Sequence, residues 1–559
     1  MKFKVDESPQ KLRGGYYTPP DLAACIGGWV TTRRTKQILE PSCGDGIFLE
    51  ALGSTSTQPL TIKAFEIDAE EAQKARSRST PPHIKTRVLA SDFLGWALGE
   101  LQKGSQHFDG VVGNPPFIRY QYLPESFQIR AESIFRHLGC RFTRHTNAWV
   151  PFILACVALL RPGGRLGMVV PAELIHVMHA QPLRSYLVAQ CTRIVVIDPE
   201  QLWFPGTLQG AVILLAEKRR SHRQRCEGLG IIPVRDREFV SQDPEQMFRA
   251  ADTSNGKTIE GKWTRALLDA STRDLLDATA ENPKVQRFDD VASVDVGIVT
   301  GANKFFLVPN ETVERFGLHD YAYPMFGRSG HCPGIVYDER QHVANAMNGK
   351  PTNFIWFRNA GVERHRLVAK YIRLGEDQKL HRRYKCRIRS PWYCVPSVYA
   401  TDIGMLKRSH HAPRLVFNKA KAFTTDTAYR ISTSKVNAST LVACFLNPLT
   451  ALSAELEGRH YGGGVLELVP SEIERLLIPI PAAVDFELGR LDQAVRTHCT
   501  EDVLSEYGQQ VLSLIGLTKP DREQLFQGWV ALRNRRQRVS ARAPAVKSTA
   551  NASERVGAN

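Results

Sequence analysis

The chain has 559 residues, 43% hydrophobic and 23% charged, with a net charge of +16 and a pI near 9.4. That length is enough for at least two cores and excludes one small domain. The charge favours a polyanionic partner. No apolar run is long enough to cross a bilayer, and the Met1–Glu7 stretch lacks the apolar core of a signal peptide, so no membrane is expected and a cytoplasmic protein is. Eleven cysteines are scattered singly, without a C-x-x-C pair or a Cys/His run at zinc spacing, which points to free thiols and no structural metal. Part of the basic excess is local: from Arg533 onward seven basic residues face one acid, Glu554.

In chain order, Thr18-Pro19-Pro20-Asp21 reads as a helix start, because proline suits a first turn and an acid suits the N-terminal dipole. Gln37–Glu40 is an apolar strand, followed by the small-residue loop Pro41-Ser42-Cys43-Gly44-Asp45-Gly46 and a helix from Ile47. Gly44 and Gly46 let a backbone approach a ligand closely at the strand end. The loop is neither G-x-G-x-x-G nor a Walker loop, which argues against a dinucleotide or ATP and fits a nucleoside without phosphates. Strands at 61–68, 86–90 and 108–113 follow, the first two ending at Glu66-Ile67-Asp68 and Asp92-Phe93. A carboxylate about twenty residues past a glycine loop is placed to grip a ribose diol.

The strand Phe108–Gly113 runs into Asn114-Pro115-Pro116-Phe117-Ile118-Arg119-Tyr120. Two prolines cannot donate to a ladder, so the strand ends there. An amide side chain, a backbone carbonyl and a flat ring are thereby left at the sheet edge where open α/β folds bind ligands. Such a set suits an exocyclic amine on a planar heterocycle. A helix from about 147 to 160, a strand at 165–170, a helix at 173–189 and strands at 193–198 and 210–216 complete a doubly wound α/β sheet. Between the last two strands lies the aromatic loop Gln201–Gly206.

The ordered set Thr-Pro-Pro, cofactor loop, acid-tipped strands and Asn-Pro-Pro-aromatic resembles the gamma group (TaqI-like, Eco57I-like) of S-adenosylmethionine-dependent DNA N6-adenine methyltransferases of restriction–modification systems. The resemblance implies a Rossmann-like class I methyltransferase domain followed by an α+β DNA-recognition domain, with S-adenosyl-L-methionine as cofactor. It places the methionine end of the cofactor on Thr18 and on Glu40, Pro41, Ser42 and Cys43, with Gly44 and Gly46 in the same loop. Glu66 takes the ribose, Ile67 packs on the adenine, and Asp92 binds the adenine amino group with Phe93 beside it. Pro116 and Phe152 belong to the same pocket. Asn114, Pro115, Pro116 and Phe117 become catalytic, with Phe117 and Phe204 sandwiching a flipped base. Many relatives have Tyr where this chain has Phe117, so stacking is kept and a hydroxyl contact is lost.

Accepting both amine protons at the Asn114 side chain and the Pro115 carbonyl favours a more tetrahedral nitrogen with an available lone pair. Cytosine-5 chemistry requires a Pro-Cys nucleophile, and the chain contains no such dipeptide.

The second half changes character. Residues 221–284 carry mixed charge with little periodicity and read as a linker or surface excursion. A β-rich recognition domain is expected over 285–482, a helical segment over 483–532, and a basic disordered tail over 533–559. The catalytic domain then spans 1–220. Within the recognition domain, Lys379, Arg382, Arg383, Lys385, Arg387 and Arg389, followed by Trp392, suit phosphate contacts and groove insertion. Double-stranded DNA is the expected partner, with a separately encoded endonuclease alongside and a monomeric state. RNA adenine or protein glutamine methylation, a fused restriction–modification enzyme, and an inactive DNA-binding protein remain as alternatives. With only about thirteen residues before the first motif, no N-terminal nuclease is expected.

Overall fold

The computed structural model describes residues 17–201, 203, 210–461, 463–481 and 487–537. Its largest element is a nine-stranded sheet with strands β1 (Gln37–Glu40), β2 (Leu60–Glu66), β3 (Ile84–Ala90), β4 (Phe108–Gly113), β5 (Leu160–Pro171), β6 (Cys191–Pro199), β7 (Ala211–Lys218), β8 (Gly228–Val234) and β9 (Thr253–Ser254). Their spatial order is β3-β2-β1-β4-β5-β7-β6-β8-β9. Strands β1 to β5 pair in parallel, and β7 slots antiparallel between β5 and β6. The order reverses between β1 and β4, which is where an open α/β sheet opens a ligand crevice at the strands' C-terminal ends.

Helices cover both faces. Pro20–Val30, Ile47–Thr55 and Pro244–Ala250 pack on one side around Trp29, Phe48 and Phe248. Phe93–Gln102, Glu125–His137, Trp149–Leu159 and Gln181–Gln190 pack on the other around Phe135, Trp149 and Trp263. All eleven residues of Trp149–Leu159 are buried, which explains a helix apolar on every side.

The segment expected to be a linker is structured. β8 pairs in parallel with β6 from Arg193↔Gly228 to Pro199↔Val234, and β9 pairs antiparallel on β8. These residues extend the catalytic sheet. The misreading has a physical cause: β8 lies beyond the last strand of the doubly wound pattern, and its partner lies about thirty-five residues upstream across β7.

The second half is α+β. A five-stranded sheet takes the order Ser293–Val296, Ala428–Ser432, Ile403–Leu406, Leu415–Asn418, Val336–Tyr337, antiparallel except for the last pair. Val285–Arg287 pairs antiparallel with Leu477–Pro479, closing the domain from both ends. The C-terminal helix runs Lys519–Gln537, so the start of a basic tail at 533 is corrected. Arg533 and Arg536 are buried, Arg536 is paired with Glu455, and Arg535 reaches Asp198 at the end of β6. Residues from 538 lie outside those described. Among the described residues, no single helix is long and apolar enough to cross a membrane.

Candidate active site

β4 is held between β1 (Leu39↔Val111) and β5 (Gly113↔Met168), so the residue after Gly113 emerges at the sheet's C-terminal edge. There the Asn114 Nδ2 donates to Thr18 Oγ1 at 3.2 Å, and Ser42 Oγ donates to the Asn114 carbonyl at 3.2 Å. Three motif residues far apart in sequence thus form one cluster. The bond to Thr18, a buried side chain, turns the amide so that its oxygen is the end facing away from that hydroxyl. Phe117 is half-buried and packs against the cores of both sheet faces.

Across the crevice, β1 ends at Glu40, which is wholly buried. Neither of its carboxylate oxygens has a hydrogen-bond partner within the described structure. Burial pushes this acid well above the usual carboxylate range, and the nearby Glu66 and Asp45 push it further. The loop beyond is set by backbone contacts: Cys43 N donates to the Phe65 carbonyl at 2.8 Å, joining the β1 loop to β2. Gly46 sits at φ +89° just before the helix Ile47–Thr55, and a Cβ there would lie 2.9 Å from the Ala75 backbone. Conformation and space both demand glycine at that position.

Glu66 accepts from Gly44 N and from Asp68 N, both at 2.9 Å, so its carboxylate is aimed at the glycine loop. Ile67 follows and is 75% exposed, a large apolar side chain left open at the crevice. Asp92 caps the helix Phe93–Gln102 through Leu94 N and Gly95 N, and pairs with Arg130 at 2.7 Å. Phe93 lies 5.2 Å from Phe152 and 5.6 Å from Phe65, one buried aromatic group beneath the third strand end. Phe204 lies outside the described residues.

Two residues near the crevice escaped the sequence reading. The Tyr17 ring lies 3.9 Å from where a Cβ on Gly44 would be, and its hydroxyl donates to Glu71 at 2.9 Å. Burial and that carboxylate raise the phenol to about 12. An aromatic immediately before Thr18 was the available signal. Arg130 was not legible, because nothing local ties it to Asp92 thirty-eight residues away.

The basic stretch of the second half divides. Lys379, Arg382, Arg383, Lys385 and Arg387 are exposed. Arg389 instead donates to the Thr300 and Val299 carbonyls at 2.8 and 2.6 Å and braces a turn. Trp392 is corrected from a groove-inserting ring to a core one: it is 9% exposed, 5.0 Å from Phe305, and donates to Glu376 at 3.3 Å. Its neighbours Phe305, Phe306 and Tyr371 come from other elements, so its burial was invisible locally. The exposed ring in this stretch is Tyr384, flanked by Lys385 and Arg387 at 5.6 and 5.5 Å.

Two families match the chain. The Eco57I restriction-modification methylase covers residues 51–203, and the C-terminal domain of the type II methyltransferase M.Eco57I covers residues 260–512. The type II methyltransferase M.AccI of Acinetobacter calcoaceticus is 21% identical over 513 residues, covering 88% of each chain. M.XamI of Xanthomonas campestris pv. amaranthicola is 22% identical over 476 residues, covering 83% of this chain and 85% of its own. Among solved structures, the type IIG restriction endonuclease BpuSI aligns over 93% of this chain and 66% of its own, with 14% identity and a TM-score of 0.41.

Proposed function

We infer that the chain is a site-specific DNA methyltransferase of the Eco57I restriction–modification kind, with S-adenosylmethionine as cofactor, and from that premise we propose that it methylates the N6 amine of an adenine. The observation that carries the proposal is the cluster at the end of β4. The amide of Asn114 is oriented by Thr18, the backbone after it is tied down by Ser42, and Phe117 packs against the cores of both sheet faces. Acceptors fixed before the substrate arrives need no reorganisation when charge develops on the amine.

The residues of the crevice fit the cofactor. Glu40 supplies a buried carboxylate without a hydrogen-bond partner in the described structure, which is what an α-ammonium group requires. Glu66 would take the ribose, and Ile67 and Asp92 the adenine face and edge. Asp92 already spends lone pairs on its helix cap and on Arg130, so it holds the adenine amine only with what remains. When bound, S-adenosylmethionine supplies an electrophilic methyl group on a sulfonium. The chain's part is to hold the amine. Asn114 Oδ1 and the Pro115 carbonyl would each accept a hydrogen bond from one of its N–H groups, and Phe117 would stack on the ring.

A paired adenine amine is out of reach inside a duplex, so the nucleotide rotates out at a cost of about a few kcal/mol. Stacking on Phe117 and Phe204 would return roughly 1–3 kcal/mol for the base. The exposed residues Lys379, Arg382, Arg383, Lys385 and Arg387 would contact phosphates. We further infer a monomer in the cytoplasm, acting beside a separately encoded endonuclease.

Single-molecule sequencing of DNA from cells that express the protein tests the reading. N6-methyladenine in one short motif is expected, and Asn114→Ala should abolish it while binding of S-adenosylmethionine by the purified variant is kept. N4-methylcytosine in its place, or undiminished methylation by the variant, would overturn it.

A further inference from the structure

The crevice edge is electrostatically divided. Over β1, β2 and β3 stand Glu40, Asp45, Glu66, Asp68 and Asp92, none of which lines the cleft on the other side of Asn114. That cleft, about 920 Å³, opens five residues past Asn114 and is bounded by Arg119, Arg141 and Arg144 from the catalytic domain and Arg459 from the second half; one acid, Glu173, also lines it and accepts from Asn147 Nδ2 at 3.0 Å. Arg119, Arg141 and Arg144 are exposed, and among the described residues their side chains make no hydrogen bond or ion pair. Arg459, by contrast, is held at 3.0 Å by the buried Glu472. Three guanidinium groups with no carboxylate partner outnumber the one acid of the same lining, so the cleft carries a positive excess that suits an anion. Tyr120 and Tyr461 add ring faces to the same walls.

We propose that this cleft seats the sugar–phosphate backbone of the DNA strand carrying the target nucleotide, with Arg119, Arg141 and Arg144 as its phosphate contacts. The inference rests on the methyltransferase reading and adds to it where the strand runs. Arg119 lies on the chain segment that leaves the Asn114 cluster, so a strand in the cleft would run past Asn114 within reach of the flipped base. Guanidinium forks match phosphate oxygens in pairs, and tyrosine rings suit the sugars and bases between. The size is in the range of pockets that enclose a small ligand.

The test measures binding of a fluorescein-labelled duplex of random sequence to the full chain between 50 and 200 mM salt. Three forms are compared: the unaltered protein, the triple variant Arg119→Ala, Arg141→Ala, Arg144→Ala, and a charge-matched control, Arg33→Ala, Arg34→Ala, Lys36→Ala. The control residues are exposed and lie just before β1, at the opposite edge of the sheet. Neutralising three phosphate contacts should lower the slope of log affinity against log salt by about 0.9 each, close to three units in all. The control slope should hold, and both variants should keep the affinity for S-adenosylmethionine. An unchanged slope in the first variant, or an equal fall in the control, overturns the proposal. Neither result bears on whether the unaltered protein methylates DNA, which the sequencing experiment decides separately.

Discussion

Glu40 shows how much a single side chain can reveal. A carboxyl group sealed from water with no partner is costly, and native structures keep few such groups without a reason. Burial, then Glu66 and Asp45, hold its proton on well above the usual carboxylate range. The folded value therefore exceeds the unfolded one. The favourable contribution is complete below about pH 4.3, the ordinary value for Glu, and is lost as pH rises towards the folded value. The isosteric Glu40→Gln removes that penalty and should raise the melting temperature of the cofactor-free protein near neutral pH. The same substitution should remove most of the thermal shift given by S-adenosylmethionine, because an amide cannot pair with an ammonium group. In the unaltered protein, seating that ammonium expels the Glu40 proton, so affinity should climb with pH by up to about tenfold per unit. Melting curves with and without the cofactor, taken across the pH range, check all three; a full cofactor shift in Glu40→Gln would refute this role.

At the scale of elements, the C-terminal helix Lys519–Gln537 carries the clearest energetic statement. Arg536 and Glu455 are both fully buried and meet at 2.7 Å, and Arg536 also donates to the His410 and His411 carbonyls at 3.0 and 3.1 Å. Burial drives the Glu455 carboxyl upward even against Arg536. Arg536→Met leaves that acid without its counter-charge and should cost about 3–5 kcal/mol, read as a lower urea midpoint. The double variant with Glu455→Gln should recover part of the loss; no recovery would mean the pair is not coupled. These arginines read as the start of a basic disordered tail because charge alone says nothing about a partner eighty residues away. Other elements were plain in the sequence. β1 and β4 occupy the very ranges read from the residues, because each is an apolar run that must stop at proline or small residues. The Asn114 and glycine-loop residues were legible for the same reason, being defined by strand ends. The Asn114–Thr18 bond was not, since its partners lie ninety-six residues apart. Nor was the place of Trp392, which is decided by rings from distant elements, or of β8, whose partner β6 lies about thirty-five residues upstream with β7 between them in sequence.

For the whole molecule the decisive feature is the seam between the halves, which also forms one wall of the basic cleft. Arg535 grips Asp198, and the His176 ring lies 4.5 Å from that of His460. Burial holds both histidines well below their ordinary value. Arg535, Lys262 and Arg184 add to this at His176, and His176, Arg535 and Arg536 at His460, against which the Glu455 carboxylate stands. Both rings are therefore neutral when folded and, below about pH 6.5, protonated when unfolded. The native state binds fewer protons there, so the seam's contribution is complete above that pH and is lost as pH falls. For two groups the limiting loss is about 2.7 kcal/mol per pH unit. Calorimetry should show the halves melting together near neutral pH. On acidification the melting temperature should fall, and the single transition should then split as the seam yields before either core. A His176→Gln, His460→Gln variant lacks both titrating rings, so its melting temperature should fall less steeply between pH 6.5 and 5 than that of the unaltered protein. Identical slopes would place the acid sensitivity elsewhere. Because Arg459 and Tyr461 flank His460 in the cleft wall, a random-sequence duplex bound there should delay the splitting, by mass action on the joined form.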